Sequence, residues 1–204
     1  MRTFIEGAFD HSGNQHTVNV DNPFEDVYAP VQNVSDSIST NDPCGSPTTQ
    51  DYNGLVYWWE DYVSCNLTER NDCMLLLTAK DSGSGSTWQN YYAVVEGGPD
   101  VAKLDGSYSK FGCGQKWEDM QNVLHEMAHA FLDETDEHDH GNVYQHDCGY
   151  FCSNWYRTPI GHGGDAGTNA CYDDIPSDHD DSCNAMYWDP DCATDHFTNT
   201  TNHQ

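Results

Sequence analysis

The chain has 204 residues, enough for one domain with a sizeable core, and carries 34 acidic residues, 25 of them Asp, against four Lys and three Arg. The formal net charge of −27 excludes nucleic acid and anionic membrane as electrostatic partners, because both repel such a surface. Concentrated salt relieves the self-repulsion, so the surplus of Asp over Lys reads as adaptation to a salty medium; the alternative is an acidic exported protein whose Asp133, Asp136 and Asp139, or Asp178, Asp180 and Asp181, hold Ca2+.

In chain order, residues 2 to 9 (RTFIEGAF) read as an opening strand. From His11 to Asp51 the chain is polar and rich in Pro, Asn, Asp and Ser, which predicts mainly loop. Leu55, Val56, Trp59, Tyr62 and Val63 recur at helical spacing, predicting a helix from Asp51, its N-cap, to about Cys65. The run Asp72 to Thr78 (DCMLLLT) predicts a strand covered on both faces, and Ser82 to Ser86 (SGSGS) a flexible loop. Tyr91 to Val95 makes a second strand ending at Gly97, Gly98 and Pro99, and Val101 to Leu104 a short third one. Trp117, Met120, Val123, Leu124, Met127, Ala128 and Phe131 then form one apolar stripe of a helix that begins near Lys116. Beyond it, residues 142 to 204 are rich in Gly, Asp, Cys and His with no sustained period, an irregular, disulfide-rich part of the same single domain, 1 to 204.

Nine cysteines, at 44, 65, 73, 113, 148, 152, 171, 183 and 192, allow four disulfides and one leftover thiol, which suits an oxidising compartment. Cys148 and Cys152 could instead begin a structural zinc site, but no second close pair completes its tetrahedron. Sequons at Asn33, Asn66 and Asn199 fit export. The first residues carry no apolar run of a leader and no segment approaches membrane-spanning length, so the expectation is a mature, secreted, monomeric protein whose leader and any propeptide have been removed.

The chemistry concentrates in the last predicted helix. His125, Glu126 and His129 form an HExxH segment: the four-residue spacing puts two imidazoles on one helix face, with a carboxylate beside them. Neutral imidazoles bind Zn2+, and the carboxylate can take a proton from water activated there. The bland reading of the same residues is an inert helix surface. A catalytic zinc needs a third protein ligand. The last Glu of the chain is Glu137, so none lies far enough downstream to complete a thermolysin-like set. The metzincin pattern places a glycine three residues after the second histidine and a ligand six after it, where this chain has Leu132 and Thr135. Leucine prolongs the helix by about a turn, so the ligand is delayed to His138 or, as second choice, His140, just before Gly141 permits a reversal. Asp136, Asp139 and His146 are further competent donors, and a solvated acidic loop is the alternative role for His138. Histidines 11, 16, 162, 179, 196 and 203 read as surface residues, with His162 between glycines a candidate to line a cleft.

The order helix, apolar strand, Gly-rich strand region, HExxH helix and Cys-rich tail, over about residues 52 to 190, resembles the metzincin metallopeptidases, in a divergent branch. The spacing of His138 from His129 is similar to that of the aspartate ligand in aspzincin (deuterolysin-like) peptidases, and the acidic composition resembles proteins of halophilic archaea. Cys183, Asn184, Ala185, Met186 and Tyr187 resemble the Met-turn, in which a methionine floors the zinc histidines; an ordinary buried Met186 is the competing reading. The resemblance implies an α+β fold with a small twisted sheet packed on two main helices. It also implies a secreted zinc endopeptidase acting on protein or peptide substrates, with Glu126 as general base, His125, His129 and His138 as ligands, and Tyr187, Tyr156 or His162 stabilising the oxyanion. Two other readings stay open: a non-catalytic secreted module stabilised by disulfides and metal, and a zinc hydrolase of another amide or ester.

Overall fold

A computed structural model describes residues 1–11, 20, 27–67, 72–80, 84–89, 91–104, 108–131, 150–151, 156–157, 159 and 183–188. It is an α+β fold in which the HExxH helix packs on one face of a three-stranded sheet. The sheet is built from β3 (Met74–Leu77), β5 (Tyr92–Val95) and β4 (Gly85–Trp88) in that spatial order, after the chain has made α1 (Arg2–His11), β1 (Ile38–Asn41), β2 (Thr49–Tyr52) and α2 (Leu55–Asn66). β3 runs parallel to β5, and β4 antiparallel to it with Gly85 opposite Val95 and Thr87 opposite Ala93.

Strand alternation divides the interior between the sheet's two faces. Met74, Leu76, Tyr92 and Val94 join Leu55, Val56, Trp59 and Val63 of α2 in one cluster. Leu75, Leu77 and Val95 point the other way, to Met120, Val123, Leu124, Met127 and Ala128 of α4 (Gln115–His129). The apolar run at 72–78 is therefore covered on both faces, as its sequence predicts. At the sheet-to-helix junction Trp59 donates its indole N–H to the Met74 carbonyl at 2.9 Å, satisfying the buried polar end of that ring.

Residues 2 to 9 are helical, correcting the strand expectation: Phe4, Ile5, Ala8 and Phe9 repeat at one helix face and all are fully buried in the α4 cluster. Gly7 is tolerated inside this helix because Tyr108 lies against it, where an added Cβ would come within 2.7 Å of the ring. The loop expected from 11 to 51 contains the β1–β2 hairpin, with Ile38 paired to Tyr52. Asp51 belongs to β2 and does not cap α2; Gly54 precedes that helix, and the Leu55 amide is satisfied by the Val34 carbonyl at 3.0 Å. The hairpin is fastened to the far end of α2 by the Cys44–Cys65 disulfide and by the Asn66 side chain donating to the Pro43 carbonyl.

Three further expectations change. Gly85 and Ser86, expected in a loop, lie in β4 and pair with β5. Val101 to Leu104, expected as a strand, are instead the end of a short helix α3 (Gly98–Val101) and the turn after it; Gly97 at φ 102 turns the chain and Pro99, in the first turn, has the φ a helix requires and no amide to satisfy. α4 ends at His129 without the extra turn, and the Ala130 and Phe131 amides bond to carbonyls three residues back, tightening the end. β6 (Phe111–Cys113), just before α4, joins three strands of the C-terminal part, β7 (Tyr150–Phe151), β8 (Tyr156–Arg157) and β9 (Cys183–Ala185), in a second small sheet in the order β6, β9, β8, β7. Strands of two or three residues carry no period, which is why the sequence reads as irregular there. Cys113 is disulfide-bonded and sits opposite Cys183 in the β6–β9 register. Among the described residues, no helix is long and apolar enough to cross a membrane.

Candidate active site

The α4 helix presents its chemistry because its apolar stripe fixes its rotation. With Met120, Val123, Leu124, Met127 and Ala128 in the core, His125 and His129 fall at the margin of that stripe, both partly buried. Their Nε2 atoms converge to 3.1 Å. Two imidazole nitrogens about 2.0–2.1 Å from one zinc ion at a tetrahedral angle are about 3.3 Å apart, so this hydrogen-bond separation is near that of two ligand atoms at one zinc site. His125 Nδ1 lies 2.6 Å from the Pro159 carbonyl oxygen. A carbonyl only accepts, so Nδ1 carries the hydrogen and the lone pair of the neutral ring is on Nε2, the nitrogen that faces His129.

Glu126 turns the other way, toward the sheet. It is 8% exposed, and its carboxylate lies against β4 where Gly85 has no side chain: a Cβ there would stand 2.5 Å from Oε1 and 2.7 Å from Cδ. Thr87, two residues on and on the same face of the strand, places its Oγ1 2.6 Å from Glu126 Oε2 and 2.9 Å from the Glu126 carbonyl. Among the described residues β4 is the edge of its sheet, so the buried carboxylate stands beside a strand edge that can take up another strand. Gly85→Ala is expected to displace the carboxylate or the strand. It should cost about 1–3 kcal/mol in urea unfolding, as overpacked sites do, while Gly45→Ala, at a site with open space around it, serves as a comparison dominated by its positive φ.

Cys73, the residue before β3, is a free thiol partly buried on the α4 side of the sheet. Burial pushes it up to about 12, with the charges of Glu126 and Asp72 adding to the effect. At neutral pH it is a protonated, weakly nucleophilic group, which argues against thiol chemistry at this site.

His125, Glu126 and His129 are brought together as their spacing implies. Met186 is fully buried in the same cluster as Met127 and Ala128, with its amide bonded to the Lys110 carbonyl at 2.8 Å. Tyr187 is buried, its ring edge-on to His11 at 4.4 Å and near Phe111 at 5.9 Å. His11, the last residue of α1, is half-buried beside Tyr187. Tyr156 lies on β8. His138, His140, Asp136, Asp139, His146 and His162, the two Asp clusters proposed for calcium, and Cys148 with Cys152 lie outside the described residues. Among the described residues no group of three His, Cys, Asp or Glu is arranged to hold a metal. Gly85, Thr87 and Pro159 escape a sequence reading. Pro159 acts through a main-chain carbonyl that any residue supplies, and Gly85 and Thr87 meet Glu126 only through sheet packing.

Comparison with protein-family models, with curated proteins and with solved structures found no match.

Proposed function

We propose that the protein is a secreted zinc endopeptidase, divergent and metzincin-like, working in a high-salt medium. The observation that carries this reading is the convergence of His125 and His129 Nε2 with the His125 tautomer fixed by the Pro159 carbonyl. Such an outer hydrogen bond to an imidazole is the arrangement that fixes the tautomer and aim of a metal ligand. The α+β architecture, a small sheet with the HExxH helix and α2 packed on it, agrees with this reading at the level of fold class. The Cys44–Cys65 disulfide accords with an oxidising, extracellular location.

Zinc, when bound, would acidify a coordinated water and polarise the scissile carbonyl. His125 and His129 would hold it, with His138 as third ligand and His140 as second choice. Glu126 takes the proton of the attacking water and returns it to the leaving amine. An extended peptide lies along the open edge of β4, where main-chain hydrogen bonds hold it without regard to side chains and bring its carbonyls past Glu126. Met186 floors the site, and Tyr187, Tyr156 or His162 donates to the developing oxyanion.

The test is metal analysis joined to peptide hydrolysis. Protein purified in molar salt should carry about one zinc per chain and cleave unstructured peptides. Removal of the metal by a chelator should abolish cleavage, and added zinc restore it. His129→Ala should lower zinc affinity by at least about 100-fold, as loss of one of three ligands implies. A metal-free protein, or zinc-loaded protein inert toward a peptide library but active on small esters, would sink the peptidase reading in favour of a binding module or another hydrolase.

A further inference from the structure

Thr87 has one hydroxyl hydrogen and two oxygen neighbours, both belonging to Glu126: Oε2 at 2.6 Å and the main-chain carbonyl at 2.9 Å. Both contacts cross from β4 to the last turn of α4, where carbonyls lack the full set of helical donors. The Ala130 amide, which would serve the Glu126 carbonyl in a continuing α-helix, is turned instead to Met127 and Ala128. A hydroxyl from the strand supplies a donor at that end of the helix.

The same hydroxyl grips the side chain. Gly85 blocks nothing but leaves no spare room, since even a methyl there would overlap the carboxyl group. The carboxylate therefore rests in a socket with Gly85 as its floor and Thr87 as its clasp. Glu126 is buried, and a charge-assisted hydrogen bond in such surroundings is stronger and more directional than one in water.

We propose that Thr87 is the positioning residue of the general base: its hydroxyl fixes the Glu126 carboxylate in the Gly85 socket beside β4 during proton abstraction and anchors the end of α4 that carries His129. The proposal rests on the peptidase reading. Bookkeeping of the proton step is closed by the hydroxyl. While Glu126 is ionised, the Thr87 hydrogen goes to Oε2. Once a water proton has moved to the other oxygen, Oε1, the Thr87 hydrogen still goes to Oε2, now the carbonyl oxygen of the neutral acid, and the proton on Oε1 stays available for the leaving amine. No hydrogen bond is lost between the two states, and the side chain need not leave its socket.

The experiment compares wild type with Thr87→Val, which keeps the shape and loses the hydroxyl, with Thr87→Ser, which keeps the hydroxyl, and with Thr87→Ala should the valine variant not fold. On a peptide that zinc-loaded wild type cleaves, T87V is expected to lose about 10–100-fold in kcat with KM within about twofold, the size of effect that misplacing a supported catalytic group produces. T87S should recover most of the loss, and T87V added to Glu126→Gln should lower the residual rate no further. Infrared difference spectra between each protein and its E126Q counterpart isolate the Glu126 carboxylate stretch, which should shift in T87V and return in T87S. Unchanged kcat, a loss that serine does not rescue, or an unmoved carboxylate band overturns the proposal. If wild type binds zinc but cleaves no peptide, the peptidase reading fails, and the infrared band still decides whether Thr87 holds the carboxylate.

Discussion

On the proposed peptidase reading, Glu126→Gln is expected to reduce kcat by about 10²–10⁴-fold, the usual contribution of a general base, with zinc content and unfolding midpoint unchanged. The structure makes glutamine the right replacement. It fills the socket against Gly85, and its amide can still meet the Thr87 hydroxyl, so packing survives while basicity goes. Alanine would leave a hole under β4 and confuse lost chemistry with lost structure. Aspartate is a useful intermediate: one methylene shorter, it withdraws the carboxylate from Thr87 and should fall between wild type and glutamine in rate. Peptide hydrolysis under saturating zinc, read beside metal analysis and urea unfolding, checks the set. An E126Q protein cleaving at the wild-type rate would remove Glu126 from the mechanism.

Trp188→Ala should be the most destabilising single change away from the site, by about 3–5 kcal/mol in urea unfolding. Trp188 is fully buried, with its ring 4.6 Å from that of Phe9, and it shares a cluster with Phe4, Leu124 and Met186. One indole thus joins the first helix, the HExxH helix and the β9 end. Trp88→Ala is the control, because that ring is 38% exposed at the sheet edge and meets Tyr57 alone among the aromatic contacts of the described residues. It should cost less than about 1.5 kcal/mol, the scale of one aromatic pair. A loss at Trp188 no larger than at Trp88 would mean that α1 does not dock as described.

Long elements with a strong period were legible. The stripe that begins at Trp117 marks the start of α4 within a residue or so, though not its end at His129, and the apolar runs mark β3 and β5, because burial on one or both faces leaves its mark on every second, third or fourth residue. α1 was misread because ten residues with an interior glycine have little helix propensity of their own; tertiary burial of Phe4, Ile5 and Phe9 makes the helix. The β1–β2 hairpin was missed because Ile38 and Tyr52 are the buried residues in its two polar strands. At the site, His125, Glu126 and His129 were legible because helical spacing is a local property. Thr87 is 39 residues and Pro159 is 34 residues from its partner, and no pattern in the chain joins them.

The Pro159 carbonyl also sets an order of events during synthesis. The HExxH helix is complete at residue 129, yet the group that orients His125 lies in the segment after β8, and β8 itself is paired in parallel to β9 near residue 184. A nascent chain emerging from its N-terminus can bury α1 against α4 only partly, because Met186 and Trp188 arrive last. The His125 imidazole thus gains its fixed tautomer only when the segment beyond β8 docks against the helix.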